Sequence, residues 1–345
     1  YNWFLLAHPV IESELLTRLA PVLSVETLTL LVALPAGALA DLVLPARGEG
    51  SWRASDRRWA CSLGGVAAAS VALTAAAFMP DGAGPVEGGR DLRVAVVQTS
   101  VPQDNRSAWT IERRLDDFGV LLELTGRAAA AGPDLIVWPE TMFPGPTLSP
   151  DATAAQRDAG LAWTVAAPGS GEPATLPVTA FLDGLLDAQR GAGVPIVVGA
   201  IGLDGYALRL GPDGAPAELS EGRFNSAFVV AGGAVADTRY DKMHLTPFGE
   251  VMPYISAWPW LERRLLALGA RGMAFDLDAG ADPTVLEVPS PGGPVRVASP
   301  ICFEITAPRV PRRLVWGDDG SRRAQLLVHL TNDGWFGSHR GGREH

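Results

Sequence analysis

The sequence predicts an α/β sandwich domain preceded by transmembrane helices. Three observations lead there. Two long apolar runs, 25–45 and 59–79, lie near the start of the chain. Beyond residue 91, short apolar runs alternate with stretches of helical spacing. Gly232-Gly233 separates two strand-like runs, which adds a hairpin and argues against a purely parallel sheet.

The 345 residues suffice for one large α/β domain plus extra segments. Apolar residues make up 47%, high for a soluble chain with 28 prolines and 39 glycines, so part of it is expected in lipid. The net charge is −10 and no basic stripe is present, so a nucleic-acid partner is not expected. The chain runs from Tyr1 to His345 and reads as a piece of a longer protein. Cys61 and Cys302 are the two cysteines, in unlike contexts, which argues against a disulfide framework.

The run 25–45 is interrupted only near its ends, by Glu26 and Asp41, and contains Pro35. The run 59–79 carries no charge and is rich in Ala, Gly and Ser, which suits close helix packing in a membrane. About 21 residues at roughly 1.5 Å each span about 30 Å, one bilayer core. Arg47, Arg53, Arg57 and Arg58 fall in the intervening 46–58, expected as a cytoplasmic loop. Residues 1–24 and everything after Met79 then lie on the outer face. The Gly- and Pro-rich stretch 80–90 reads as a linker.

A large domain is expected from residue 91 onward. Leu92–Gln98 reads as a buried strand, and 105–131 as a helix with Leu115, Phe118, Leu122 and Leu124 or Thr125 inward. Leu135–Trp138 is a second strand. Val178–Arg190 is a helix with Phe181, Leu182, Leu185 and Leu186 on one face. Pro195–Ala200 is a strand, and Phe224–Val230 with Ala234–Tyr240 form the hairpin. Val295–Cys302 and Gln325–Leu330 complete the strands; Pro300 places the former at an edge or a sharp turn. No metal-ligand cluster is visible.

Polar residues at the ends of apolar strands are the candidates for chemistry, because sheets gather strand ends in space. Glu140 directly follows the strand ending at Trp138; partial desolvation would suit it as a general base, though a surface or helix-start acid fits too. Lys242 follows the hairpin. Lysine is scarce in this arginine-rich chain, which favours a fixed role over a solvated turn. A fixed ammonium there would lower a thiol pKa and stabilise an oxyanion. Cys302 ends an apolar strand, unpaired in an oxidising compartment, and would need a lysine and a base to be activated. Cys61, within the second apolar run, reads as a small apolar residue.

Four motifs in this order carry a resemblance: WPE at 138–140, KMHLTPFGE at 242–250, ICFE at 301–304 and NDGWFG at 332–337. Together they resemble the carbon–nitrogen hydrolase (nitrilase) superfamily from about residue 91 onward. With membrane runs ahead of them, they resemble its apolipoprotein N-acyltransferase branch. The resemblance implies an α-β-β-α sandwich outside the bacterial cytoplasmic (inner) membrane, on a multi-pass anchor. It implies Cys302 as nucleophile, Glu140 as general base and Lys242 as oxyanion stabiliser. Glu250 and Glu304 match supporting acidic positions, the Phe303 N–H a second oxyanion donor, and Trp109 an aromatic on the lipid-entry side. Phe303 stands where a tyrosine is common in the family. The implied partners are a membrane phospholipid acyl donor, a diacylglyceryl-modified apolipoprotein acceptor and the lipid bilayer, with no metal or organic cofactor. Two other readings share the motifs: a membrane-tethered nitrilase-type amidase, and an inactive nitrilase fold serving as a binding module. If the first reading holds, the three side chains should converge within hydrogen-bond reach.

Overall fold

The computed structural model describes residues 13, 18–43, 52–78, 89–99, 109–166, 172–210, 216–247, 250–251 and 277–332. The chain divides into two compact units, Tyr1–Arg90 and Asp91–Arg343.

The first unit contains α1 (Ala20–Val43) and α2 (Trp52–Ala77). α1 kinks at Ser24, whose φ of 67° is left-handed, and carries Pro35. Leu28 and Ala76 are buried between the two helices. Gly65 lets Leu34 come close: a Cβ there would lie 2.8 Å from Leu34 Cδ2. Other large apolar side chains point outward, among them Leu39, Leu63, Val71 and Phe78, the last 84% exposed. Among the described residues no helix is long and apolar enough to cross a membrane.

Both helices overlap the apolar runs but begin earlier. α1 starts at Ala20, inside the expected outer loop 1–24. α2 starts at Trp52, so the expected loop 46–58 is helical from there on. The reason is that Trp52-Arg53-Ala54-Ser55 contains no helix breaker, and arginine and alanine favour helix. Hydropathy marks the apolar part of a helix, not its first turn. Arg47 and the side chains of Arg53, Arg57 and Arg58, on which the expected orientation depends, lie outside the described residues, as do 1–12 and linker residues 79–88.

The second unit opens with β1 (Val94–Val96), shorter than the expected strand, then α3 (Ile111–Ala130) and β2 (Leu135–Val137). Thr110 caps α3 by accepting from the Arg113 N–H. The helix therefore starts later than expected, and residues 105–108 are outside the described set. Its buried stripe is Phe118, Leu121 and Thr125; Leu115, expected inside, is 41% exposed. Next come α4 (Pro150–Asp158), the hairpin of β3 (Ala162–Ala166) and β4 (Pro173–Pro177), and α5 (Ala180–Ala192). β5 (Ile196–Asp204) is followed by a small hairpin, β6 (Ala207–Leu210) and β7 (Pro216–Leu219). β8 (Gly222–Ala231) and β9 (Ala234–Asp241) form the expected hairpin. Gly232 and Gly233 have φ of 60° and 76°, the two positive values a tight two-residue hairpin turn needs. The chain closes with β10 (Leu286–Val288), β11 (Val295–Ala298), α6 (Arg309–Val315) and β12 (Leu326–Leu327).

Strand order in the larger sheet is β1-β2-β5-β8-β9, parallel through β5 and antiparallel beyond. The second sheet is β10-β11-β12. Alternation along the strands builds two cores. Ile136, Trp138, Ile196, Val198, Phe228 and Val230 face α3 and α5, where Phe118 meets Phe181 edge-on at 5.2 Å. Leu135, Val137, Val197, Ala227 and Val229 face the second sheet and α6. The layers are therefore α3 and α5, the five-stranded sheet and the three-stranded sheet, each sheet having an apolar face on the other, with α6 packed against β11.

The strand containing Cys302 was expected to run to residue 302. β11 stops at Ala298, and Cys302 opens a 3₁₀ turn, Cys302–Thr306. Pro300 cannot donate to the ladder, which ends the strand there.

One glycine fixes how β5 meets the segment after β2. A Cβ on Gly199 would lie 2.5 Å from Pro139 O, 2.7 Å from Thr141 N and 2.8 Å from Glu140 Cα. Only a bare backbone fits under Pro139–Thr141. Gly199→Ala should therefore destabilise the domain by about 1–3 kcal/mol, as overpacked cores do. A urea midpoint unchanged by this substitution would show that the crossing is not this tight.

Candidate active site

Glu140, Lys242 and Cys302 each follow directly on, or shortly after, a strand of one of the facing sheets. Glu140 comes after β2, behind Trp138, whose indole N–H donates to buried Thr125 Oγ1 at 2.9 Å. Thr141 follows at a φ of 43°, unfavourable for a β-branched residue. Lys242 follows β9; its N–H donates to Asn225 O and its carbonyl accepts from the Gly280 N–H, both at 2.8 Å. Cys302 has a φ of 50°, and its N–H donates to Leu330 O at 2.7 Å.

The side chains converge. Lys242 is fully buried, and its Nζ lies 2.7 Å from Glu250 Oε2 and 3.5 Å from Glu140 Oε1. It also donates to Thr246 Oγ1 at 3.3 Å. Asn225 Nδ2 donates to Glu140 Oε1 and Glu250 Oε1, both at 2.9 Å. One amide thus bridges two carboxylates. Its Oδ1 is buried without a partner among the described residues; turning the amide over would aim an oxygen at both carboxylates.

Glu304 is buried and joins two segments. It accepts from Tyr240 OH at 2.8 and 2.9 Å, from the Met243 and His244 N–H groups at 2.8 and 2.9 Å, and from the Ile301 N–H at 2.8 Å. The chain after Lys242 and the chain before Cys302 are tied to one carboxylate. Buried Phe303 adds a ring stacked on His244 at 5.6 Å.

The electrostatics have Lys242 acting on the thiol in the expected direction, but outweighed. Burial and the Glu140 charge oppose it, and Glu250 and a hydrogen bond to Glu140 add to them. The thiol pKa is pushed up, not down. Burial alone would lower the Lys242 pKa; Glu140, Glu250 and Cys302 more than reverse this, so the lysine stays charged. Burial likewise opposes Glu250, yet Lys242 and two further hydrogen-bond donors, the Thr246 N–H and the Asn225 amide, hold it below the usual carboxylate range. Glu304 is raised by burial, only partly offset by the hydrogen bonds it accepts.

Trp109 belongs to a different group. Its indole N–H donates to Asp117 Oδ2 at 2.8 Å, Arg114 lies over its ring at 5.2 Å, and it packs on the core under α3. Of the NDGWFG motif, Asn332 is described and buried, whereas 333–337 lie outside the described residues, as do Phe248 and Gly249. Asn225, Tyr240 and Thr246 were not singled out from sequence. Asn225-Ser226, a polar pair inside the apolar run of β8, was the one visible signal. A cavity of about 230 Å³ is lined by Gln98, Trp138, Pro139, His329, Thr331 and Asn332 among others, and by none of Glu140, Lys242, Glu250 or Cys302.

A family model described as carbon–nitrogen hydrolase matches residues 93–345. The chain is 29% identical over 254 residues to the apolipoprotein N-acyltransferase of Geobacter metallireducens, covering 73% of this chain and 38% of that one. To the one from Chlorobaculum tepidum it is 29% identical over 260 residues, 74% and 42%. To that of Bordetella bronchiseptica it is 28% identical over 360 residues, 100% and 55%. The chain thus spans about half or less of these relatives' length. Among solved structures, an amidase from Nesterenkonia sp. matches with a TM-score of 0.38 and 19% identity, over 70% of this chain and 64% of that one.

A raised thiol pKa has a direct consequence. Alkylation of Cys302 by iodoacetamide should keep accelerating with pH well past about 8.5, the value of a free thiol. Lys242→Met should move the profile further up, since the ammonium is the group holding it down. A plateau at neutral pH would mean a preformed thiolate and contradict this electrostatic balance.

Proposed function

The chain belongs to the carbon–nitrogen hydrolase family, and from that premise we propose that it is a membrane-associated N-acyltransferase. Its acyl donor is a membrane phospholipid, and its acceptor is the free α-amine of a diacylglyceryl-modified cysteine on an apolipoprotein. The observation that carries the chemistry is a partly buried Cys302 thiol hydrogen-bonded to the Glu140 carboxylate, with the buried Lys242 ammonium 3.5 Å from that carboxylate.

Glu140 takes the proton of Cys302 as sulfur attacks the ester carbonyl carbon. Lys242 Nζ and the Phe303 N–H face the oxyanion that forms. Collapse breaks the ester C–O bond, and the departing lysophospholipid oxygen takes the proton back from Glu140. The enzyme now holds a thioester. The acceptor amine attacks that carbonyl and gives a proton to Glu140. The C–S bond breaks, an amide is left, and the thiolate recovers its proton. Glu250 and Asn225 keep Lys242 and Glu140 in place throughout. Every step uses groups of this chain and the two substrates, so the scheme calls for no metal or organic cofactor.

The membrane part of the proposal rests on α1 and α2. The straight part of α1 beyond the kink at Ser24 and the uncharged part of α2 from Trp59 on each cover roughly 29 Å at about 1.5 Å per residue, close to one bilayer core, although among the described residues neither helix is long and apolar enough to be assigned as a span by itself. Their outward Leu39, Leu63, Val71 and Phe78 suit lipid contact. In this reading the helices are inner-membrane spans, 80–90 is a linker and the domain from residue 91 works on the periplasmic side. Trp109 is a substrate contact on the lipid side.

The test uses vesicles of phosphatidylethanolamine carrying a fluorescent acyl chain, with a diacylated lipopeptide bearing a free amine. The unsubstituted chain should acquire a hydroxylamine-labile label at Cys302 and pass it to the lipopeptide. Cys302→Ala should lose both. Transfer surviving in that variant would sink the thioester route. Label released only to water would replace acyl transfer with hydrolysis, as in an amidase.

A further inference from the structure

His329 has no part in the scheme above, yet its Nε2 lies 2.9 Å from the carbonyl oxygen of Cys302. A carbonyl only accepts, so Nε2 carries the hydrogen and donates it. The ring is placed by backbone. The Val328 N–H donates to Ala298 O at 2.8 Å, the Leu330 N–H to Pro300 O at 3.0 Å, and the Cys302 N–H to Leu330 O at 2.7 Å. Val328 and Leu330 are buried in the core between the sheets, so His329 between them projects from the other face of the strand.

The bonded carbonyl belongs to the Cys302–Phe303 peptide. That unit is planar and trans, so its C=O and the following N–H point in opposite directions. Fixing the Cys302 oxygen therefore fixes where the Phe303 N–H aims. Cys302 sits at a φ of 50°, a left-handed region unfavourable for a residue with a Cβ, so the peptide needs external support. Donation to the carbonyl also polarises the amide and strengthens its N–H as a donor. We infer that His329 is a positioning residue that aims the Phe303 N–H at the oxyanion by holding the Cys302 carbonyl. This rests on the thioester reading.

The test separates oxyanion chemistry from thiol chemistry in the full chain. Acylation of Cys302 by p-nitrophenyl octanoate passes through a tetrahedral oxyanion and is read as a nitrophenolate burst. Alkylation by iodoacetamide displaces iodide at a saturated carbon and forms no oxyanion. His329→Ala should slow the burst about 10- to 100-fold, up to the effect of losing an oxyanion donor outright, and leave alkylation unchanged. His329→Gln, which keeps an N–H donor, should restore much of the burst. His329→Leu repeats the measurement without opening a hole. An unchanged burst, or burst and alkylation falling together in all three variants, overturns the inference. An unsubstituted chain that alkylates but gives no burst removes the thioester reading, and this inference with it.

Discussion

The site is organised around one buried ammonium. Lys242 is the only lysine in the chain and is fully shielded from solvent. Removing such a charge from water costs several kcal/mol, so it must be surrounded by acceptors. An ammonium has three donors, and three oxygens surround it, from Glu250, Thr246 and Glu140, at 2.7, 3.3 and 3.5 Å. Arginine would bring five donors in a flat fork, which this compact arrangement does not match. The need to neutralise Lys242 also fixes the two carboxylates. They can stay close because the lysine lies between them and the Asn225 amide donates to both, to the same Glu140 oxygen that faces the lysine and to the other oxygen of Glu250.

A second constraint is mechanical. The three candidate side chains arise from β2, β9 and the turn after β11, on two different sheets. Their relative positions depend on how those sheets are joined at this end. Glu304 makes the join: its carboxylate takes backbone donors from Met243, His244 and Ile301. Gly199 and Gly280 make the approach possible from below. A Cβ on Gly280 would lie 2.3 Å from Asp241 O, next to Lys242. Side-chain chemistry and bare backbone together set the geometry.

The charge balance also bears on the type of catalysis. A thiolate held ready by a cation would be ionised before substrate arrives. Here burial and Glu140 keep the thiol neutral. In the proposed acyl transfer, deprotonation is then coupled to attack, and Glu140 as general base beside the sulfur is part of the chemistry and not an accessory. A thiol stored as SH is also less open to oxidation than a free thiolate.

Much of this was legible in the sequence. Period-two and period-3.6 patterns gave the hairpin at Gly232-Gly233, the helix ending near Arg190 and the central strands, because burial on a sheet or helix imposes those periods. The placement of Glu140 and Lys242 after apolar strands was visible, as was the lone reactive-type cysteine. Residues that act only through space were not. Asn225, Tyr240 and His329 lie 85, 64 and 27 positions from the partners they bond. No local pattern encodes such a pairing. Nor could it give the sign of the thiol shift, which is a sum of burial and three nearby charges. The sequence by itself determined which residue types stand at the strand ends. Only the tertiary structure decided which of them meet, and how far water is excluded from them, because both depend on the packing of two sheets that are remote in the chain.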